Sequence, residues 1–177
     1  PRVQHLLDRI EQQQQLVDQV GVGAAAGHGV ADYFAAVLDA SGEWLYVNET
    51  FARLTSRFPV RRDGGLGPRE VFAEYGAGTY PDGIAFDEEG HLWIVSIISN
   101  RVLRVAPDGA VTTVLEDLDP AHVAWVETAY LAGELGRPHL DGVKSARLRN
   151  ISSIAFGGPD RRTAYLGCLL DDAIYAF

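Results

Sequence analysis

The stretch that decides the fold is YPDGIAFDEEGHLWIV, residues 80–95. Residues 37–47, VLDASGEWLYV, echo it earlier in the chain, and residues 154–160, IAFGGPD, echo it later and lead into AYLG at 164–167. Each copy contains a short apolar segment, a turn rich in Asp, Gly or Pro, and a second apolar segment. Such repetition is typical of stacked or radial repeat proteins, so the sequence predicts hairpins that recur from repeat to repeat.

The apolar alternation predicts strands throughout the chain from residue 36 onward. Corresponding apolar positions in the first two repeats, Leu38 and Phe86, lie 48 residues apart, about the length of a four-stranded propeller blade. The next spacing, from Phe86 to Phe156, is 70 residues, and the excess falls at 117–149. Pro120 to Leu135 has helical spacing, which predicts a helical insertion there. The predicted strands are 36–39, 44–48, 55–60, 70–73, 83–87, 91–96, 101–105, 110–115, 153–157, 163–168 and 173–177.

The first 30 residues have a different pattern. Apolar residues at helical spacing predict a helix over 2–20, and a glycine- and alanine-rich stretch at 21–29 reads as a linker. We therefore predict an N-terminal helix and linker at 1–30 and a mainly β domain at 31–177, built as about three blades of a β-propeller.

Three blades do not close a ring, because a radial array leaves strand edges at each free end. We therefore expect a fragment of a longer protein, a unit that pairs with another copy, or a chain whose helix at 2–20 caps the first blade. The absence of methionine and the start at Pro1 favour a piece of something longer, or a processed chain.

Composition excludes several classes of function. The formal charge of −9 argues against nucleic acid or an anionic membrane as the main partner. The single cysteine, Cys168, excludes an internal disulfide framework, and no apolar stretch is long enough to span a membrane. Together with the lack of a signal-peptide pattern, these features predict a cytoplasmic protein.

Several motifs in order resemble the regucalcin–gluconolactonase (senescence-marker-protein) family. They are PDGIAFD at 81–87 with LWI at 92–94, RVLRV at 101–105 with PDG at 107–109, GEWLYVNET at 42–50, and IAFGGPD at 154–160 with TAYL at 163–166. The resemblance covers about residues 36–177. It implies a six-bladed propeller hydrolase, typically a sugar lactonase, with one divalent cation in the central channel. Ca²⁺ is the first expectation, with Mg²⁺, Mn²⁺ or Zn²⁺ as alternatives, and the implied substrate is a sugar lactone or related ester.

The resemblance also implies which residues carry the chemistry. In the family a first-blade Glu, two Asn from middle blades and the Asp of the Pro-Asp-Gly motif hold the metal, and that Asp is the expected general base. Here the match is Asp82, whereas the Glu has no counterpart. In the preceding repeat the corresponding position is Phe34, or His28 if residues 32–36 are an insertion. We therefore predict Asp82 as catalytic residue and metal ligand, and His28 as a second ligand.

Three further polar residues are predicted to line the channel. Ser152 holds the position of Asp82 in the last repeat, and Asn48 and Glu49 end a strand where propeller loops meet the channel. Two hypotheses follow for function. The first is a metal-dependent lactonase-like hydrolase. The second is a non-catalytic partial propeller that binds a ligand or partner, or self-associates through open blade edges.

Overall fold

The computed structural model describes residues 11–12, 14–16 and 35–177. In this part of the chain, eleven strands form three antiparallel sheets. The first sheet contains β1 (Ala36–Leu38), β2 (Trp44–Glu49), β3 (Leu54–Pro59) and β4 (Glu70–Glu74). The second contains β5 (Tyr80–Phe86), β6 (Leu92–Ile97), β7 (Arg101–Val105) and β8 (Val111–Glu116). The third contains β9 (Ile151–Gly157), β10 (Thr163–Cys168) and β11 (Ile174–Ala176).

Each sheet is a meander in which consecutive strands are hydrogen-bonded neighbours. The first strands of the sheets lie side by side, since β5 contacts both β1 and β9. The architecture is therefore three successive blades of a β-propeller, and the predicted fold class is confirmed. All eleven predicted strands are present within three residues of their predicted limits.

Aromatic pairs join one blade to the next at equivalent places. Tyr46 on β2 packs edge-on against Phe86 on β5, with ring centroids 5.1 Å apart. Trp93 on β6 packs in the same way against Phe156 on β9, at 5.3 Å. Tyr165 occupies the corresponding place on β10, because it lies opposite Ala155 just as Trp93 lies opposite Ala85. Unlike Trp93, the Tyr165 side chain is exposed. Within the described residues, the outward face of the third blade thus exposes the position that is packed between blades elsewhere.

The outward face of the first blade is covered at least in part. Residues 11–12 and 14–16 are helical, and Leu16 is buried in one apolar cluster with Leu38, Leu45 and Val47. The predicted helix is thus present at these positions and packs where the expected cap would lie. The rest of the 2–20 helix and the 21–29 linker lie outside the described residues, so the division into 1–30 and 31–177 stays a prediction.

The insertion between the second and third blades is helical, as predicted. It contains α1 (Pro120–Ala132) and α2 (Arg137–Asp141). The Asp119 side chain caps α1 by accepting hydrogen bonds from the amides of Ala121 and His122, and Pro120 opens the first turn. Among the described residues, no helix is long and apolar enough to cross a lipid bilayer.

Both ends of the insertion are fastened to the blades. The Asp117 carboxylate accepts hydrogen bonds from the amides of residues 146–148, at 2.7–3.0 Å. The Asn100 amide nitrogen donates to the carbonyl of Asp117 at 3.2 Å, and the Asn100 amide oxygen accepts from the amide of Ile151 at 2.9 Å. Val126 of α1 is buried with Phe51 and Tyr80, so the insertion packs at the end of the blades where β5 begins. These contacts make the insertion a fixed part of that end.

Candidate functional site

A β-bulge lies at Asp82 and Gly83, near the start of β5. In the pairing of β5 with β6, Pro81 faces Ser96 and Ile84 faces Ile94, so that two residues of β5 stand opposite the single residue Val95. A bulge bends its strand and redirects the side chain of the extra residue. It also explains why β5 begins at Tyr80 and not at residue 83 as predicted, because the strand continues through the glycine.

Gly83 has a packing role. A glycine beside a site residue can leave room for a ligand to approach the backbone. A Cβ atom at this position would instead lie 2.5 Å from the carbonyl oxygen of Ser152 and 2.7 Å from the Cα of Ser153. The space beside Gly83 is therefore filled by the backbone of β9, and the glycine allows the first strands of two blades to approach closely.

The Asp82 carboxyl group is partly buried and unpaired. No hydrogen bond or ion pair within the described part of the chain reaches its oxygens, and desolvation by burial raises its pKa from 3.8 to about 6. A carboxylate in this state is ionised at neutral pH but poorly compensated. It is thus suited to bind a cation or to accept a proton.

Ser152 occupies the corresponding bulge on β9. Ile151 faces Cys168 and Ser153 faces Gly167, which leaves Ser152 as the extra residue. Because the backbone of Ser152 also contacts the Gly83 position, Asp82 and Ser152 lie on adjacent strands at the same level of the propeller. The structure thus brings together these two predicted site residues.

Asn48 and Glu49 differ in their surroundings. Asn48 is fully buried, its Nδ2 donates to the carbonyl oxygen of Asp82 at 2.7 Å, and its Oδ1 accepts from the Thr55 hydroxyl at 2.6 Å. The Glu49 carboxylate forms an ion pair with Arg69 at 2.8 Å. It also accepts from the Ser56 hydroxyl at 2.5 Å. Both side chains thus already have polar partners in this arrangement, and their place along the channel stays a prediction.

The remaining predicted ligand, His28, and its alternative, Phe34, lie outside the described residues. Asp82 thus supplies one carboxylate suited to a hard divalent cation, with the Ser152 hydroxyl on the adjacent strand. This donor set fits such a cation in part, and both residues stay predictions as functional groups.

A polar cluster fastens the strand of Asp82 to the insertion. The Glu127 carboxylate on α1 accepts hydrogen bonds from the Tyr80 hydroxyl at 2.7 Å and from the Gly78 amide at 2.8 Å. It also pairs with Arg53 at 2.5 Å, and the Arg53 guanidinium stacks on the rings of Tyr80 and Tyr130. Sequence reasoning missed this cluster, because Arg53 and Glu127 are 74 residues apart and follow no motif spacing.

A second group of potential ligands lies at the other end of β5. The ligand atoms of Asp87, Glu89 and His91 are within 4.8 Å of one another. Arg104 already holds this group together, with its guanidinium 3.0 Å from Asp87, 2.7 Å from Glu89 and 2.9 Å from His91. Because a cationic side chain neutralises these carboxylates, the group is better explained as a structural ion cluster than as a metal site.

A family model and a curated relative match this chain. The family model for the SMP-30/gluconolactonase/LRE-like region matches residues 35–125, just over half of the chain. A 6-deoxy-6-sulfogluconolactonase from Pseudomonas putida is 31% identical over 125 residues, which cover 70% of this chain and 33% of that protein. The chain thus spans about a third of the length of this curated relative.

Solved structures show the same fold at low sequence identity. Regucalcin from Agrobacterium tumefaciens, described as a calcium-binding protein, superimposes with a TM-score of 0.52 at 21% identity, over 79% of this chain and 40% of that one. A gluconolactonase from Xanthomonas campestris gives a TM-score of 0.51 at 18% identity, over 78% of this chain and 35% of that one.

Proposed function

Because the chain belongs to the SMP-30/gluconolactonase/LRE-like family, we propose that it forms part of a metal-dependent hydrolase that opens sugar lactones. The observation that carries this proposal is the state of Asp82. Its carboxyl group is half-buried, lacks a partner in the described part of the chain, and has a pKa raised to about 6 by burial. A carboxyl pKa that lies above its ordinary value of 3.8 and just below neutral pH suits a general base at physiological pH.

Asp82 has two roles in the proposed chemistry. As a ligand, it would hold a divalent cation, with Ca²⁺ first and Mg²⁺, Mn²⁺ or Zn²⁺ as alternatives, and Ser152 would contact the cation or the substrate. When bound, such a cation polarises a carbonyl and lowers the pKa of water. As a base, Asp82 would accept the proton of the water that attacks the lactone carbonyl. The lactone ring then opens at the acyl–oxygen bond to give a hydroxy acid.

The proposed substrate is a sugar lactone or a related ester. This class is supported by the relatives, which are named as a sulfogluconolactonase and a gluconolactonase. A cytoplasmic location and the absence of a nucleic-acid partner stay predictions.

The test combines metal binding with hydrolysis. Chelator-treated protein is titrated by calorimetry with Ca²⁺, Mg²⁺, Mn²⁺ and Zn²⁺, and hydrolysis of glucono-1,5-lactone is followed by acid release. We expect one site that Asp82→Asn abolishes, and that the control Asp108→Asn, in an exposed turn, leaves unchanged. Cation binding that is absent, or equal in the wild type and Asp82→Asn, overturns the proposal.

The alternative is a non-catalytic partial propeller that associates with a second copy. One observation favours it: the outward face of the third blade exposes Tyr165 and Ile174, the former at a position that is packed in the other two blades. Light scattering at increasing concentration decides this alternative, because a strict monomer contradicts it.

A further inference from the structure

Asn48 connects the first blade to the backbone of Asp82 in the second. Its side-chain amide is fully buried and donates to the Asp82 carbonyl oxygen at 2.7 Å. A bulge leaves its extra residue outside the regular ladder of the sheet, so the carbonyl of a bulged residue needs a hydrogen-bond donor from elsewhere. Asn48 supplies that donor across the boundary between two blades.

The orientation of the Asn48 amide follows from its two partners. The Asp82 carbonyl can only accept a hydrogen bond, so the atom that faces it is the nitrogen. The Asn48 oxygen then faces the Thr55 hydroxyl at 2.6 Å, and that hydroxyl also lies 2.6 Å from the hydroxyl of Tyr75. Thr55 is itself fully buried. The amide is thus held at both ends and cannot rotate without loss of a buried hydrogen bond.

The same place in the other blades carries no amide. The equivalent residue in the second blade is Val95. The pair Leu38 with Leu45 in the first blade corresponds to the pair Phe86 with Leu92 in the second, and Asn48 and Val95 follow Leu45 and Leu92 at the same distance along the chain. An apolar residue therefore meets the packing needs of this position in the second blade. A buried amide is costly unless it is bonded, so packing alone does not account for Asn48.

From this geometry we infer that Asn48 is a positioning residue for Asp82, which fixes the bulge and thereby the direction of the Asp82 carboxyl group. The inference rests on the proposed function, since it matters for catalysis only if Asp82 acts there. Productive sites tolerate displacements of only about 0.5 Å, and loss of a group that orients a metal ligand typically weakens metal binding by about 10- to 100-fold.

The test compares Asn48→Leu with Thr55→Val. Both remove a buried hydrogen bond of one network, but only the first removes the donor to Asp82. Crystal structures of the metal-free variants are expected to show the Asp82 carboxyl group displaced by more than about 0.5 Å in Asn48→Leu and unmoved in Thr55→Val. Calorimetry is expected to show cation affinity reduced about 10-fold or more in Asn48→Leu, and changed less than about 3-fold in Thr55→Val.

The two measurements separate the two ideas. An Asp82 carboxyl group that stays in place in Asn48→Leu overturns the positioning role, whether or not a cation binds. A displaced carboxyl group in a protein that binds no cation supports the positioning role and overturns the proposed function. If Asn48→Leu does not fold, Asn48→Asp takes its place in the test. This variant has the same shape as the wild type and replaces the donor by an acceptor, and the same two measurements decide its outcome.

Discussion

Replacement of Asp82 by Asn should stabilise the metal-free protein at neutral pH. Burial raises the pKa of the Asp82 carboxyl group from 3.8 to about 6, so the folded state binds its proton more tightly than the unfolded state does. Between these two values the folded state holds more protons, and stability therefore falls as the pH rises through this window. Above about pH 6 the penalty is complete, and below about pH 4 it is absent.

The size of the penalty follows from the same two values. The difference between a pKa of 3.8 and one of about 6 corresponds to a loss of about 3 kcal/mol in the free energy of unfolding, before any correction for solvent exposure. Because Asp82 remains partly exposed, solvent screening reduces this figure, and we expect about 1–2 kcal/mol. Asp82→Asn keeps the shape of the side chain and leaves the backbone carbonyl bonded to Asn48, so it removes the charge and little else.

The assay is urea unfolding with a chelator present at pH 4, 5, 6 and 7. The variant should exceed the wild type by about 1–2 kcal/mol at pH 7 and match it at pH 4, whereas Asp108→Asn should show no such trend. Addition of a divalent cation should then reverse the order, because only the wild type is stabilised by binding, by about 2.7 kcal/mol at a concentration of 100 times the Kd. A variant that is no more stable at pH 7, or equally shifted at both pH values, would refute the reasoning.

Two further substitutions test how the site is held. Gly83→Ala places a Cβ 2.5 Å from a backbone oxygen of β9 and should cost about 1–3 kcal/mol or more in urea unfolding, whereas Gly76→Ala, with open space around it, should change stability by less than about 0.5 kcal/mol. Glu127→Gln leaves the mostly buried Arg53 guanidinium without its counter-charge and should cost about 3 kcal/mol, whereas Asp141→Asn, in an exposed ion pair, should cost less than about 1 kcal/mol. Equal costs within either pair would contradict these assignments.

The sequence predicts the blades well because their signal is local. Alternation of apolar residues and the turns around Gly42, Gly90 and Gly109 define each hairpin within a few residues of chain. The helical insertion is equally local, since Asp119 and Pro120 mark its start. These features need no knowledge of distant contacts, which is why the predicted strands and helix lie close to the observed ones.

The site is less predictable because its contacts join distant segments. The repeat identified Asp82 and aligned it with Ser152, and the structure places both at matching bulges. It did not reveal that Asn48, 34 residues earlier, bonds to the backbone of Asp82. Nor did it show that Glu49 is held by Arg69, because an ion pair between the end of β2 and the residue before β4 leaves no periodic pattern.

The fold accounts for the bulge at Asp82 but not for its charge. Close packing of β5 against β9 requires a residue without a side chain at Gly83, and the bulge permits that approach. The same bulge on β9 carries Ser152, so the backbone geometry is compatible with a small neutral side chain. We expect an unpaired carboxylate at Asp82 to lower the stability of the metal-free protein, because burial disfavours its charged form, whereas Ser or Asn carries no charge. The proposed role of Asp82 in binding or catalysis would account for this charge, and the stability that Asp82→Asn restores would measure its cost.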